Sequence, residues 1–394
     1  MATSAVSVPG VPPLAIDRSS VSTSVPWSIY AVLFASTSVI VGVLWDISWH
    51  RTIGRDTFWT PAHVDMYLCG VLAGISCGWL ILSTTFRRDA PLRKASVSLW
   101  GFQGPLGAFI AAWGGIAMLT SAPFDDWWHN AYGLDVKIIS PPHMLLAAGV
   151  MAIQIGSLIL ILGQMNRAEG IARERLRRLY LYVAGMILIL LATLQLELTF
   201  RSVMHQAHFY HLVALIAPGV LAAAAIGSGS RWGATAVAGV YTVFLMLMNW
   251  ILPLFPAEPK LGPVYHQVTH FVPPEFPILL IVPAIAIDLI RRRSEGSNAW
   301  KLAAILGAAF VAALAIAQWP FADFLMSPLA RNWFFGTQYF GYYMQHTSPY
   351  FRNLFLPTES GGVLWQEIAL TLVTAILTTR LGIAAGTWMR GIRR

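Results

Sequence analysis

The chain of 394 residues is 56% hydrophobic and only 11% charged, with 16 tryptophans and a mean hydropathy of +0.62. Soluble globular proteins contain about 25% charged residues, so this composition excludes a soluble domain and predicts an integral membrane protein. The net charge of +8 does not predict a nucleic-acid partner. In a membrane protein the informative quantity is how Lys and Arg divide between the two sides.

The apolar runs predict an all-α fold, a polytopic membrane bundle of about ten transmembrane helices. The runs approach the roughly 20 residues that cross the hydrocarbon core, and their Gly, Ala and Leu content is typical of packed helices rather than barrel strands. The predicted spans are 27–45, 62–84, 98–121, 142–164, 178–199, 207–228, 232–252, 274–290, 300–319 and 362–388.

Basic residues concentrate in every second loop between these spans. They are Arg87, Arg88, Arg93, Lys94, Arg167, Arg173, Arg175, Arg177, Arg178, Arg231, Arg291, Arg292, Arg293, Arg390, Arg393 and Arg394. Cytoplasmic loops carry an excess of Lys and Arg, so these loops and both termini are predicted to be cytoplasmic. The opposite loops are predicted to be outside, and they are 46–61, 122–141, 200–206, 253–273 and 320–361.

The chain divides into two predicted membrane units. A flexible tail, 1–26, lacks the basic start of a cleaved signal peptide. A four-helix unit, 27–164, is followed by a basic cytoplasmic linker, 165–177, and by a six-helix unit, 178–394, with an aromatic outer loop, 320–361. The two cysteines, Cys69 and Cys77, lie in one apolar run and are expected to be buried packing residues.

An acid and two histidines cluster where the first span meets the second. Asp46 and His50 are four residues apart, which places them on one face of a helix. His63 follows Pro61 at the start of the second span and is expected to face the first. Two imidazoles and a carboxylate make a three-ligand metal site with open positions, suited to copper or non-haem iron.

The same pattern recurs between the third and fourth spans. Asp125, His129 and His143 repeat Asp46, His50 and His63, with one more residue before the last histidine. Asp126 is an alternative to Asp125 as the acid. Ionisable groups at span ends are costly without partners, and the duplication favours metal sites over side chains that merely face water or an interfacial belt.

Further polar residues have weaker signals. Asp56 and Asp135 are candidates for orienting the imidazoles, although a position in a turn also explains them. Glu197, Arg201, His205, His208 and His211 gather near the fifth and sixth spans as further candidate ligands. His266 and His270 have helical spacing but precede Pro273 and Pro274. A haem held by His143 and His211 is an alternative.

The runs Asp46-Ile-Ser-Trp-His50 and Arg55-Asp-Thr-Phe-Trp-Thr-Pro-Ala-His63 resemble the signature of one membrane subunit of the copper membrane monooxygenases, the particulate methane and ammonia monooxygenase family. Asp125, His129 and His143 match a second set in that subunit, which has Asn where this chain has Asp125. The resemblance covers about residues 25–165. A weaker similarity to another membrane subunit of the same family lies within about 270–390, at 283–288, 319–320, 339–343 and 347–352.

The resemblance implies that Asp46, His50 and His63 bind copper, with iron or zinc as an alternative at one site. It implies a copper-dependent monooxygenase of the bacterial cytoplasmic membrane that oxidises a small apolar substrate or ammonia with dioxygen at an outer-side metal site. The expected partners are the lipid bilayer, a copper-binding partner subunit and further subunits in a homo- or hetero-oligomer. The partner subunit is expected because nothing in this chain resembles the copper-binding soluble domains of that family.

Two other functions fit the same residues. One is a non-catalytic copper-binding or copper-handling membrane protein. The other is a proton- or metal-coupled transporter, which would use charged or broken segments near the middle of the membrane. The predicted spans are nearly free of charge, with Asp65 as one exception, and this argues against transport.

Overall fold

The computed structural model of the chain describes residues 25–54, 56–87, 91–133, 140–260, 267–294, 296, 298–336 and 361–394. These residues form an almost entirely helical structure. The helices are α1 (Trp27–Thr52), α2 (Pro61–Phe86), α3 (Leu106–Tyr132), α4 (Pro141–Met165), α5 (Gly170–Leu194), α6 (Ala207–Ser228), α7 (Gly233–Ile251), α8 (Ile281–Arg293), α9 (Ala299–Met326) and α10 (Gly361–Gly391). The strands are β1 (Val97–Leu99) and β2 (Phe102–Gly104).

Nine of the described helices, all except α8, are long and apolar enough to cross a membrane. This confirms the predicted all-α, multi-pass character of the chain. The count of ten spans and the side on which the termini lie stay predictions. The tail, 1–24, and most of the predicted aromatic loop, 337–360, lie outside the described residues.

The third span begins later than predicted because an antiparallel hairpin precedes it. Strands β1 and β2 pair Val97 with Gly104, and the two residues between the strands, Trp100 and Gly101, both have positive φ. Two consecutive positive φ angles are typical of the tightest hairpin turns. The chain then enters α3 after Pro105.

The two predicted units share one core. Helix α5 begins at Gly170, so only 166–169 separates it from α4, and most of the predicted linker 165–177 is helical. The buried apolar residues form one continuous cluster that includes Ile40 of α1 and Leu221 of α6. Cys69 and Cys77 are free and buried, as predicted.

The predicted eighth span, 274–290, is helical only from Ile281, and the chain before it has no regular secondary structure and is partly buried. Side chains of other helices satisfy its backbone. Asn249 of α7 donates to the Pro274 carbonyl at 2.9 Å, the Leu279 N–H donates to Gln318 Oε1 of α9 at 2.9 Å, and the Ile278 N–H donates to the Tyr241 hydroxyl at 3.3 Å. Non-helical backbone is tolerated inside a membrane bundle only when it is satisfied in this way.

Contacts between helix ends assign the acid and histidine clusters and the basic residues to opposite ends of the bundle. At the basic end, Asn166 after α4 donates to the Met389 and Ile392 carbonyls, and Arg390 of α10 donates to the Ile226 carbonyl of α6. The other end collects the last turns of α1 and α3 and the first turns of α2 and α4. It is the end that carries the candidate sites.

Helices α3 and α4 approach closely along a glycine seam. A Cβ on Gly114 would lie 2.7 Å from the Gly149 carbonyl oxygen, and one on Gly156 would lie 2.5 Å from the Ala111 nitrogen. Small residues allow helix backbones in membranes to meet in this way. The seam sets the separation of the two helices whose ends carry His129 and His143.

We predict that Gly156→Ala destabilises the protein by about 2 kcal/mol, because its methyl group would overlap the α3 backbone. The measurement is thermal unfolding of the detergent-purified protein. Gly78→Ala is the matched control, since a Cβ there meets nothing within 4 Å and alanine favours the helix by about 1 kcal/mol. Equal stability of the two variants would contradict the close approach of α3 and α4.

Candidate metal sites

The first cluster is built on the last turns of α1, which continues seven residues beyond its predicted end at residue 45. Asp46 and His50 therefore lie one turn apart on a helix, as predicted. The opposite face of α1 is hydrogen-bonded to the non-helical segment before α8. Ser48 donates to the Val272 carbonyl at 2.6 Å, and the Val272 N–H donates to the Thr52 hydroxyl at 2.8 Å.

A tight loop then brings the chain back to α2. Gly54 has a φ of 89°, a left-handed conformation that glycine adopts without strain. The Thr57 N–H donates to the Thr60 hydroxyl at 2.8 Å, and Pro61 then opens α2 with the φ that the first helical turn requires. His63 consequently lies in the first turn of α2 and faces α1, as the sequence predicted.

Four side chains take part in this first cluster, of which Asp46, His50 and Asp56 have ligand atoms within 4.8 Å of one another. Asp46 Oδ2 lies 3.7 Å from His50 Nε2, and Asp46 Oδ1 lies 3.2 Å from His63 Nε2. Asp56 Oδ2 lies 3.3 Å from His50 Nε2 and 3.2 Å from His63 Nε2. Each carboxylate thus contacts both imidazoles.

Asp56 is a member of the cluster, closer to its centre than the sequence predicted. It was expected to orient the imidazoles from outside or to shape the turn, yet it touches both Nε2 atoms as closely as Asp46 does. Hydrogen bonds from the His50 and His63 rings hold the pKa of the Asp56 carboxyl well below its ordinary value. The group is therefore ionised and available as a ligand at neutral pH.

The second cluster repeats this construction with one carboxylate. Helix α3 extends to Tyr132, so Asp125 and His129 are also one turn apart, and His143 lies in the first turn of α4. Asp125 Oδ1 lies 3.5 Å from Nε2 of both histidines. One ligand atom from each of the three residues lies within 4.8 Å of the other two.

Two capping interactions orient the second cluster. His129 Nδ1 lies 3.1 Å from the Gly133 carbonyl, which can only accept, so Nδ1 carries the proton and Nε2 is free to face Asp125. The Ser140 side chain accepts from the His143 N–H at 3.5 Å and caps α4. Both imidazoles present Nε2 to the shared Asp125 carboxylate.

Asp126 lies beside Asp125 but faces along its own helix, where its carbonyl and carboxylate accept from the Asn130 side chain, so Asp125 is the acid of this cluster. Asp135 lies outside the described residues. The helices that carry the two clusters are neighbours, because α2 packs against α3, where a Cβ on Gly115 would lie 2.8 Å from the Gly70 carbonyl oxygen.

The three remaining candidate histidines do not form one group. His205 is fully buried, with Nε2 3.5 Å from Asp323 Oδ1 and its ring against Trp319. His208 and His211 instead meet Glu367 of α10. The pair considered for haem is divided between two clusters, since His143 faces Asp125 and His211 faces Glu367.

His270 is exposed and contacts Thr269, whereas His266 lies outside the described residues. The aromatic segments of the weaker resemblance, 339–343 and 347–352, also lie outside them. The Trp319-Pro320 pair lies inside α9, which continues through Pro320 to Met326, so the predicted loop 320–361 begins later than expected.

A buried charge cluster next to the first site was not foreseen. Glu275, in the non-helical segment before α8, accepts from the Arg201 backbone N–H at 3.0 Å and lies 3.8 Å from Arg201 Nε, and both side chains are 9% exposed. Arg51, the neighbour of His50, lies over the ring of Phe200, the residue before Arg201, with its Cζ 5.3 Å from the ring centroid. The cluster joins the end of α1 to the loop before α6, and its partners are too distant in sequence for a local pattern to reveal.

Comparison with protein-family models, with curated proteins and with solved structures finds no match to this chain. The resemblance to the copper membrane monooxygenases therefore rests on the motif residues themselves. Independently of that resemblance, the structure brings together possible metal ligands, because imidazole and carboxylate groups converge from consecutive helices.

We predict that Glu275→Gln lowers the free energy of unfolding by about 3 kcal/mol, because it removes the carboxylate that pairs with the buried Arg201 guanidinium. The measurement is denaturation of the purified protein followed by tryptophan fluorescence. Glu258→Gln, at an exposed position, controls for the loss of one negative charge. A stability loss equal to that control would show that Glu275 does not hold these segments together.

Proposed function

We propose that this chain is a membrane metalloprotein that binds copper in both Asp/His clusters and serves a copper-dependent oxidation. The single observation that carries the proposal is the convergence of His50, His63, Asp46 and Asp56 at distances of 3.2–3.7 Å between carboxylate and imidazole atoms. The repeat of that arrangement at Asp125, His129 and His143 supports it.

The donor set fits copper. Imidazole nitrogens suit copper, zinc, iron and nickel, whereas Mg²⁺ and Ca²⁺ prefer sites made of oxygen alone. Two imidazoles with one or two carboxylates leave coordination positions open for a small ligand. The His50 side chain is 48% exposed, so an ion can reach the first cluster without opening the bundle.

The oxidative part of the proposal rests on the motif resemblance. Bound copper supplies one-electron chemistry with dioxygen. This chain's own residues would hold the ion at the end of an apolar bundle, where a small apolar substrate or ammonia arrives from the bilayer or from the outer side. A copper-binding partner subunit would deliver electrons or complete the oligomer.

We predict that His63→Ala and His143→Ala each remove about one copper ion per chain from the purified protein, because each variant takes one imidazole from one cluster. The measurement is metal analysis after copper loading and desalting. His270→Ala removes an exposed histidine outside both clusters and should change nothing. A wild-type protein without stoichiometric copper, or variants that both keep all of it, would refute the proposal.

Metal handling without catalysis is the alternative that the exposure of His50 favours, since an exposed ligand suits ion exchange.

Turnover separates the two functions. We predict that membranes containing this chain and a copper-binding partner oxidise ammonia or a short alkane in a dioxygen-dependent reaction, and that His63→Ala reduces the rate at least about tenfold. Copper binding with equal oxidation rates in wild-type and His63→Ala membranes would favour the handling function.

One feature favours transport more than the sequence did. The segment before α8 is non-helical and carries Glu275, whose side chain is 9% exposed, and interrupted spans with buried charge are typical of ion-coupled transporters. Transport would appear as metal or proton flux into proteoliposomes that Glu275→Gln abolishes.

A further inference from the structure

A third group of candidate ligands lies in the other half of the chain, between α6 and α10. His208 and His211 are three residues apart in the first turns of α6 and so share a face. Glu367 lies in the second turn of α10. One ligand atom from each of the three residues lies within 4.8 Å of the other two, and none of these residues belongs to the two clusters described above.

The contact between His211 and Glu367 is unusual. His211 Nδ1 and Glu367 Oε2 are 3.8 Å apart, too far for a hydrogen bond. Both atoms are buried, and neither has a hydrogen-bond partner in the part of the chain that the structure describes. Buried polar atoms are nearly always satisfied, so two that face each other across such a gap indicate a group bound between them.

The other nitrogen of the His211 ring is held in place. His211 Nε2 lies 3.3 Å from the Thr374 hydroxyl of α10, and this contact directs Nδ1 toward Glu367. Metal-bound histidines almost always use their second ring nitrogen for a hydrogen bond of this kind, which fixes the orientation of the ring.

Tight packing of α6 against α10 fixes the separation of the ligands. The Thr378 hydroxyl donates to the Ala214 carbonyl at 2.9 Å, and a Cβ on Gly219 would lie 2.9 Å from the Thr378 carbonyl oxygen. The two helices start at the same end of the bundle, and their backbones cannot separate or slide without breaking this seam. Glu367 is therefore held opposite His211.

We propose that His208, His211 and Glu367 form a third metal site, which binds Cu²⁺ or Zn²⁺ and links α6 to α10. Two ligand atoms that bind one such ion at about 2.0–2.2 Å each can be up to roughly 4.3 Å apart, and the 3.8 Å gap fits this limit. Two imidazoles and one carboxylate exclude a preference for Mg²⁺ or Ca²⁺. His208 is exposed and gives the ion access from the bundle end.

This site extends the proposed function without depending on it. The test uses the full chain in detergent, with His50, His63, His129 and His143 all replaced by Ala, so that only the third site keeps its ligands. Cu²⁺ and Zn²⁺ are titrated separately, and Mg²⁺ serves as the ion that should not compete. Gel filtration verifies that each variant remains monodisperse.

The four-histidine variant is expected to bind about one Cu²⁺ or Zn²⁺, and a further His211→Ala substitution should abolish binding. Thr374→Val should weaken it by about ten- to a hundredfold, since only ring orientation is lost. Thr387→Val is the control, because its hydroxyl bonds within its own helix, to the Ile383 carbonyl.

Two results would overturn the third site. One is a four-histidine variant that binds no ion, in which case a water molecule or a proton satisfies the polar atoms of His211 and Glu367. The other is an ion that His211→Ala does not release. If wild-type protein loses copper on His63→Ala and His143→Ala but the third site binds none, the proposed function stands and only this inference fails. If the third site binds an ion but the two Asp/His clusters bind none, this inference stands and the proposed function fails.

Discussion

Carboxylates and imidazoles are costly at the ends of apolar helices unless they have partners, and the arrangement of the candidate sites follows from that constraint. Asp46 and Asp125 each reach one histidine on their own helix and another on the next helix. In both cases the acid lies where the C-terminal end of one helix meets the N-terminal end of its successor. The connections from α1 to α2 and from α3 to α4 therefore position the ligands of the first two clusters.

The rest of the bundle supports these junctions in different ways. The glycine seam holds α3 against α4 beneath the second cluster. The first cluster depends on a non-helical segment from the second half of the chain, which binds Ser48 and Thr52 and places Glu275 next to Arg201. The two halves are thus not independent units, because the ligand-bearing end of α1 is supported by residues 220 or more positions later in the chain.

The local part of this organisation was predictable from the sequence. The four-residue spacing of Asp46 and His50, the start of α2 at Pro61 and the duplication at Asp125 all depend on helical periodicity and capping, which neighbouring residues determine. Asp56 was underestimated because its contact with both imidazoles depends on the left-handed turn at Gly54.

The long-range part was not predictable in the same way. Glu275, Asp323 and Glu367 were missed because their partners come from other elements of the fold, and no local pattern encodes those pairings. The non-helical start of the eighth segment was missed although Pro274 and Pro277 signal it, because proline lacks the N–H that a helix interior requires.

The central claim is that imidazole and carboxylate groups at one end of the bundle bind copper directly. The most direct test is a diffraction experiment on copper-loaded crystals at the copper absorption edge. We expect anomalous peaks about 2 Å from Nε2 of His63 and of His143. Peaks located only elsewhere in the molecule, or none at either cluster in protein that contains stoichiometric copper, would contradict direct copper binding by these groups.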